Sequence, residues 1–162
     1  GYYNADGVNL QHDDFFGPQQ APENRGIATL FRRELPDGFL TFHAHGAVPA
    51  FLGPDAFLAP GVVRKQVEGM GYALSRLAAA GLPFLPPDAI PVPPWSFYFQ
   101  TWLHHMTGAV PFLFEFCHGL KGYAETTLDR TLDVGLTVTE AWVEYALKCG
   151  MRPRSLDLFP PA

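Results

Sequence analysis

The chain has 162 residues, 48% of them apolar, and a formal net charge of −5 at pH 7. That length and apolar share predict one globular domain with a sizeable core, and they argue against disorder over most of the chain. Its basic residues are scattered, with Arg32–Arg33 and Arg64–Lys65 the densest spots, and it has no run of about 18 apolar residues, so neither a nucleic-acid surface nor a membrane span is expected. Cys117 and Cys149 leave one disulfide open, but a reduced intracellular pair, with a cytoplasmic location favoured, is the plainer expectation. The sequence opens at Gly1 with no Met and no signal-peptide pattern, and it is expected to be a piece of something longer.

In chain order, Tyr2–Phe16 reads as extended chain and turns, with Asn4-Ala5-Asp6-Gly7 a turn signal. Pro22 opens a predicted helix that runs to about Arg33. Phe39–His43 is a short, nearly all-apolar strand, and the unbroken apolar run predicts a central position covered on both faces. Gly46–Pro60 is predicted to be a loop. Gly61–Ala80 reads as a helix, with Val63, Val67, Met70, Leu74 and Leu77 at helical spacing and Gly69 and Gly71 weakening its middle. Leu82–Pro94 is broken by prolines and predicted irregular. Ser96–Met106 reads as a short helix capped by Ser96 and ended by Thr107-Gly108. Pro111–Phe116 is a second buried strand. Thr126–Cys149 is a long helix with Leu128, Leu132, Leu136, Trp142, Val143 and Leu147 as its apolar positions, and Pro153–Ala162 is a coil tail. Helices interleaved with short apolar strands predict an α/β class with a partial mixed sheet flanked by helices.

The chemistry concentrates in Phe39–Gly46 and Phe112–Gly119. Each is an apolar run that carries a group able to bind metal or move protons, and a packed sheet holds such groups more rigidly than a loop does. His43 closes the first run, and His45 makes an HxH pair whose two imidazoles share one face of a strand. The plain alternative for His43 is a hydrogen-bonded structural histidine. Glu115 is flanked by Phe112, Leu113, Phe114 and Phe116. Burial there works against the ionised carboxylate unless a cation offsets it, and this is the setting of a general acid or base. The alternative for Glu115 is a pair with Lys121 or an arginine. His104 and His105 point about 100° apart on a helix and read as surface or pocket-lining residues. Cys117 and His118 point to opposite faces of a strand, which speaks against a nucleophile pair. The sequence contains no GxSxG, Walker loop, GxGxxG or CxxC.

Asn4-Ala5-Asp6-Gly7-Val8-Asn9-Leu10, the helix opening Pro22-Glu23, Phe39–Gly46 with its His, Trp102, and Phe112–Phe116 with its Glu occur in an order that resembles the C-terminal two-thirds of a zinc carboxypeptidase catalytic domain. The resemblance covers residues 1 to about 120. It implies zinc as cofactor, His43 as the third zinc ligand and Glu115 as the general base for metal-activated water. Trp102 falls where the family often has an Asp-Trp pair, with Thr101 in the Asp position. Gln100 falls near the position that sets the side-chain pocket, and Tyr98 is the nearest candidate for the family's mobile tyrosine. A peptide or acyl-amino-acid substrate is implied.

Three departures accompany the resemblance. No HxxE occurs in the chain, so the family's other two ligands, and its electrophilic arginine, would lie upstream. Gln11-His12 stand where the family has Asn-Arg. There the arginine grips a substrate carboxylate through a bidentate pair, which a histidine cannot form. Gln11 and His12 are nonetheless expected on the substrate side, and an amidase, or a deacylase of N-acyl amino acids, is the alternative to an exopeptidase. Cys117-His118 after Glu115 mark a distant branch. A non-catalytic binding domain that kept the scaffold and lost the metal is the reading from a different class.

Overall fold

The computed structural model describes residues 3–13, 20–55, 57–86 and 98–151, with the side chain of His45 excepted. The expected cap Ser96, the tail Pro153–Ala162, Asp14 and most of the proline-rich stretch lie outside the described residues.

Four helices and three strands follow in the order α1 (Pro22–Glu34), β1 (Gly38–Gly46), β2 (Ala50–Leu52), α2 (Pro60–Ala79), α3 (Phe99–Thr107), β3 (Val110–Cys117) and α4 (Leu128–Cys149) among the described residues. α1 and α2 both open on a proline in the first turn, where a missing N–H costs nothing. α3 is capped at its start by Tyr98, whose backbone N–H donates to Thr101 Oγ1 at 3.4 Å, and at its end by Gly108, whose φ of 77° suits glycine.

The sheet order is β1-β3-β2, with β1 parallel to β3 and β2 antiparallel to it. The fold is therefore α/β with a small mixed sheet. β3, all but its last two residues buried, is the central strand. Phe39–His43, expected to be central, belongs instead to β1, which pairs only with β3 among the described residues and leaves Phe42 42% exposed. The expected loop Gly46–Pro60 contains β2. Its apolar residues Ala50, Phe51 and Leu52 find backbone partners in Glu115, Phe114 and Leu113.

Residues alternate between the two faces of β3. Val110, Phe112 and Phe114 face α2 and α4 and join the larger core with Met70, Leu77 and Val138. On the other face Phe39 meets Phe99 and Leu103 of α3, and Phe31 of α1 packs edge-on against it with ring centres 4.9 Å apart. Gly69 sits mid-helix for a packing reason: a Cβ there would lie 2.8 Å from Phe112 Cε1. Gln66, also buried, donates to Pro111 O at 2.6 Å and accepts from the Asp55 N–H at 3.1 Å, which ties α2 to the central strand.

α4 buries a different face from the one its leucines suggested. Val134, Val138, Ala141 and Tyr145 pack inward, whereas Leu128 is 73% and Leu147 82% exposed. Small and β-branched side chains let α4 approach α2 and the sheet closely. The longer leucines form a stripe on the outside.

His104 is buried on α3, and its ring Nδ1 donates to Ala109 O at 2.8 Å. Burial, the largest cause, lowers its pKa from the ordinary 6.5, and the bond to Ala109 opposes that only in part. Folding thus favours the neutral ring. As pH falls from about 6.5 the unfolded chain takes up this proton first, so the contribution is full above that value and is lost as pH drops through the lower folded value. Denaturant midpoints measured on the acid side are expected to fall less steeply in His104→Gln than in wild type. Identical slopes would contradict this placement of the proton.

Candidate functional site

The register of β1 and β3 sets His43 directly opposite Glu115. Because the strands are parallel, residues opposite each other share a face, and both strands end on the same side of the sheet, where open α/β sheets usually bind ligands. His43 Nδ1 lies 3.7 Å from Glu115 Oε1, beyond hydrogen-bond range, and the two side chains are only 15% and 7% exposed. The Phe112, Phe114 and Phe116 rings lie on the opposite face, so Glu115 is the polar group of a strand that is otherwise core.

A second segment is held over this pair. The Asn4 side chain closes the first turn by accepting from the Asp6 and Val8 N–H groups, each at 3.0 Å. The Asn9 side chain accepts from the Gln11 N–H at 3.1 Å. Buried Asn24 of α1 donates to Leu10 O at 2.8 Å, and Gln11 O accepts from the Phe99 N–H of α3 at 3.1 Å. Asp13 turns to α1, accepting from the Gln20 and Ala21 N–H groups at 2.8 Å each. With its two neighbours so anchored, the segment presents Gln11 and His12. Gln11 Nε2 lies 3.3 Å from His43 Nε2, and Gln11 Oε1 is buried with no hydrogen-bond partner.

Gln11, His12, His43, Tyr98 and Glu115 line one pocket of about 250 Å³, with Leu52 and Leu113 as its apolar wall. His12 is exposed at its mouth, its ring centre 5.3 Å from that of Tyr98. The volume, at the lower edge of the ~300–1,000 Å³ of small-molecule sites, has room for one side chain and the bond beside it.

Gln100 stands apart. It is buried in the first turn of α3 and is not among the described residues lining the pocket. Thr101 donates its hydroxyl to Asp55, and Trp102 stacks on Phe99 at 5.7 Å, so both serve the packing of α3. Cys117 donates to Ala47 O at 3.3 Å, and burial raises its pKa, which disfavours the thiolate. Both cysteines are free. Leu52 and Leu113 were missed in the sequence. The apolar trio between Pro49 and Gly53-Pro54 was the available signal for the first of them.

No three His, Cys, Asp or Glu side chains among the described residues form a group able to hold a metal ion. His43 offers one nitrogen, and the side chain of His45 lies outside the described ones. A catalytic zinc takes three protein ligands, more than the described residues bring together. The chain matches no family model, and no curated protein and no solved structure matches it either. Any functional reading therefore rests on the geometry of this pocket and on the motifs that converge there.

Proposed function

We propose that the chain is part of a zinc-dependent hydrolase of amide bonds, a carboxypeptidase-like metallopeptidase, with residues 1–162 forming the C-terminal part of its catalytic domain. The observation that carries the reading is the buried Glu115 facing His43 across paired parallel strands, at the pocket that also gathers Gln11, His12 and Tyr98. Glu115 accepts the proton of the attacking water and hands it to the departing amine, which needs a carboxylate within one hydrogen bond of that water. His43 supplies one zinc ligand. Zinc would polarise the scissile carbonyl and acidify water. Two further ligands must come from outside these residues, and an HxxE pair is the arrangement the resemblance calls for.

The lining contains no arginine or lysine among the described residues. A bidentate arginine–carboxylate contact is worth about 1.5–3 kcal/mol, and its absence removes roughly 10- to 150-fold of any preference for a free terminal carboxylate. The apolar wall of Leu52 and Leu113 suits an acyl chain or an aliphatic side chain, which supports a deacylase of N-acyl amino acids as the neighbouring reading. A binding domain without metal is the reading from a different class.

The test is hydrolysis by the natural full-length protein of N-acyl peptides in free-acid and C-terminal amide forms. Chelator-sensitive cleavage is expected, with kcat/KM for the two forms within about tenfold of each other, since the strong carboxylate grip is missing. No cleavage of any amide by zinc-loaded protein would favour the binding domain. A preference of roughly 100-fold or more for the free acid would show that a cation outside the described pocket has taken the arginine's role.

A further inference from the structure

The long helix α4 carries an apolar face that the core does not use. At about 100° per residue, Leu128, Leu132, Leu136, Val143 and Leu147 form one stripe directly opposite the buried Val134, Val138, Ala141 and Tyr145. Leu132 and Leu136, in its middle, are 52% and 61% exposed. The stripe runs about 28 Å at 1.5 Å per residue, enough to seat about five turns of another helix. Single exposed leucines are ordinary, whereas a continuous row of them marks an interaction surface. The two edges of the stripe differ. Asp129, Asp133 and Glu140 follow one edge, all exposed, and no described residue pairs with their carboxylates. Glu144, further round, is already held by Arg76 and Lys148. Thr131, Gly135, Trp142 and Ala146 on the other edge carry no charge. Asp133 and Glu140 also line a cavity of about 250 Å³ with Leu136 of the stripe and, just beyond α2, Ala80 and Leu82.

We propose that this face of α4 docks an amphipathic helix of a separate protein, with apolar residues at helical spacing on the stripe and lysine or arginine along the edge that meets Asp129, Asp133 and Glu140. A helix laid on an apolar stripe is read by residues at i, i+3, i+4 and i+7. The charges along its edge fix its orientation and exclude wrong partners. A lysine or arginine that reaches the cavity lays its apolar stem on Leu136 and Leu82 and sets its cationic end between the two carboxylates. Charge also argues against the other occupants. A second copy related by a twofold axis brings acidic edge to acidic edge if the helices run antiparallel, and acidic edge to uncharged edge if they run parallel, so neither arrangement supplies a cation. A helix that lies on a membrane surface carries lysine and arginine on its polar side, and this stripe is bordered by carboxylates instead. The proposal is independent of the pocket on the opposite layer of the sheet.

The test uses two synthetic helical peptides with the same leucine stripe, one edged with lysine and one with glutamate, titrated into the natural full-length protein by fluorescence anisotropy. The lysine-edged peptide is expected to bind saturably with Kd below about 0.1 mM, and the glutamate-edged one at least about tenfold more weakly. Salt at about 1 M, which shortens the reach of charge to about 3 Å, should narrow that gap. Leu136→Glu should weaken the lysine-edged peptide by about tenfold or more. Asp133→Asn combined with Glu140→Gln should weaken it by about 2- to 10-fold and leave the glutamate-edged peptide no worse bound. All three positions are at the surface, and circular dichroism checks that each variant is folded. Absence of saturable binding overturns the proposal, as does equal affinity for the two peptides, and both are read on wild type whether or not the variants fold. A dimer of the natural protein that Leu136→Glu dissolves assigns the face to a second copy. Binding to phosphatidylcholine vesicles that Leu136→Glu abolishes assigns it to a membrane. Either result overturns the proposal.

Discussion

Glu115→Gln in the natural full-length protein is expected to keep the fold and the zinc and to lose about 10²- to 10⁴-fold in kcat, the usual contribution of a positioned general base. Glutamine has the shape of glutamate and retains a carbonyl oxygen, so it fits the same space between β1 and β2, where Glu115 is paired with both His43 and Ala50. It cannot take a proton from water. If Glu115 served only to anchor His43, the variant would unfold at a lower temperature while its turnover per folded molecule survived. Measuring kcat alongside the melting curve separates these outcomes, and equal turnover of wild type and variant would contradict the base assignment.

Phe112→Ala is expected to destabilise the protein by about 3–5 kcal/mol, the range for truncating a buried aromatic ring. Phe112 lies on the central strand, 2% exposed. It packs over Gly69 of α2 and edge-on to Phe51 of β2 and Trp142 of α4, with ring centres 6.5 Å and 6.2 Å away. Truncation therefore leaves a cavity at the meeting point of four elements, where collapse of one neighbour pulls on the others. Chemical denaturation gives the value. A loss under about 1 kcal/mol, typical of an exposed position, would show that this ring is not where the two layers join.

The central strand and the four helices were legible because their apolar runs are long and their stops are marked by glycine or proline. β2 was hidden by its length of three residues, which carries no periodicity and sits between prolines that predict a loop. α4 was recognised as a helix but turned the wrong way. Leucines at helical spacing look like a core stripe. Close approach to α2, however, selects the smaller Val134, Val138 and Ala141. Phe39–His43 was placed at the centre of the sheet because an unbroken apolar run resembles a covered strand, and nothing local records which edge has a partner.

The pairing of His43 with Glu115 was readable in outline, because a histidine ending one apolar run and a carboxylate inside another stand out against their surroundings. Their register, and the contact of Gln11 with His43, depend on how two distant segments meet and leave no trace in spacing. Gln100 was placed near a side-chain pocket by the resemblance alone. In the structure it is buried on α3 and is not among the described residues that line the pocket.

Zinc location is the most direct test of the central proposal. In crystals of the natural full-length protein loaded with zinc, anomalous scattering should place one zinc about 2.0–2.1 Å from a ring nitrogen of His43, in the pocket with Glu115. Residues 1–162 alone should retain little zinc after dialysis, since they bring one described ligand to that pocket. Zinc bound elsewhere, or none bound at all by the full-length protein, would contradict the proposal.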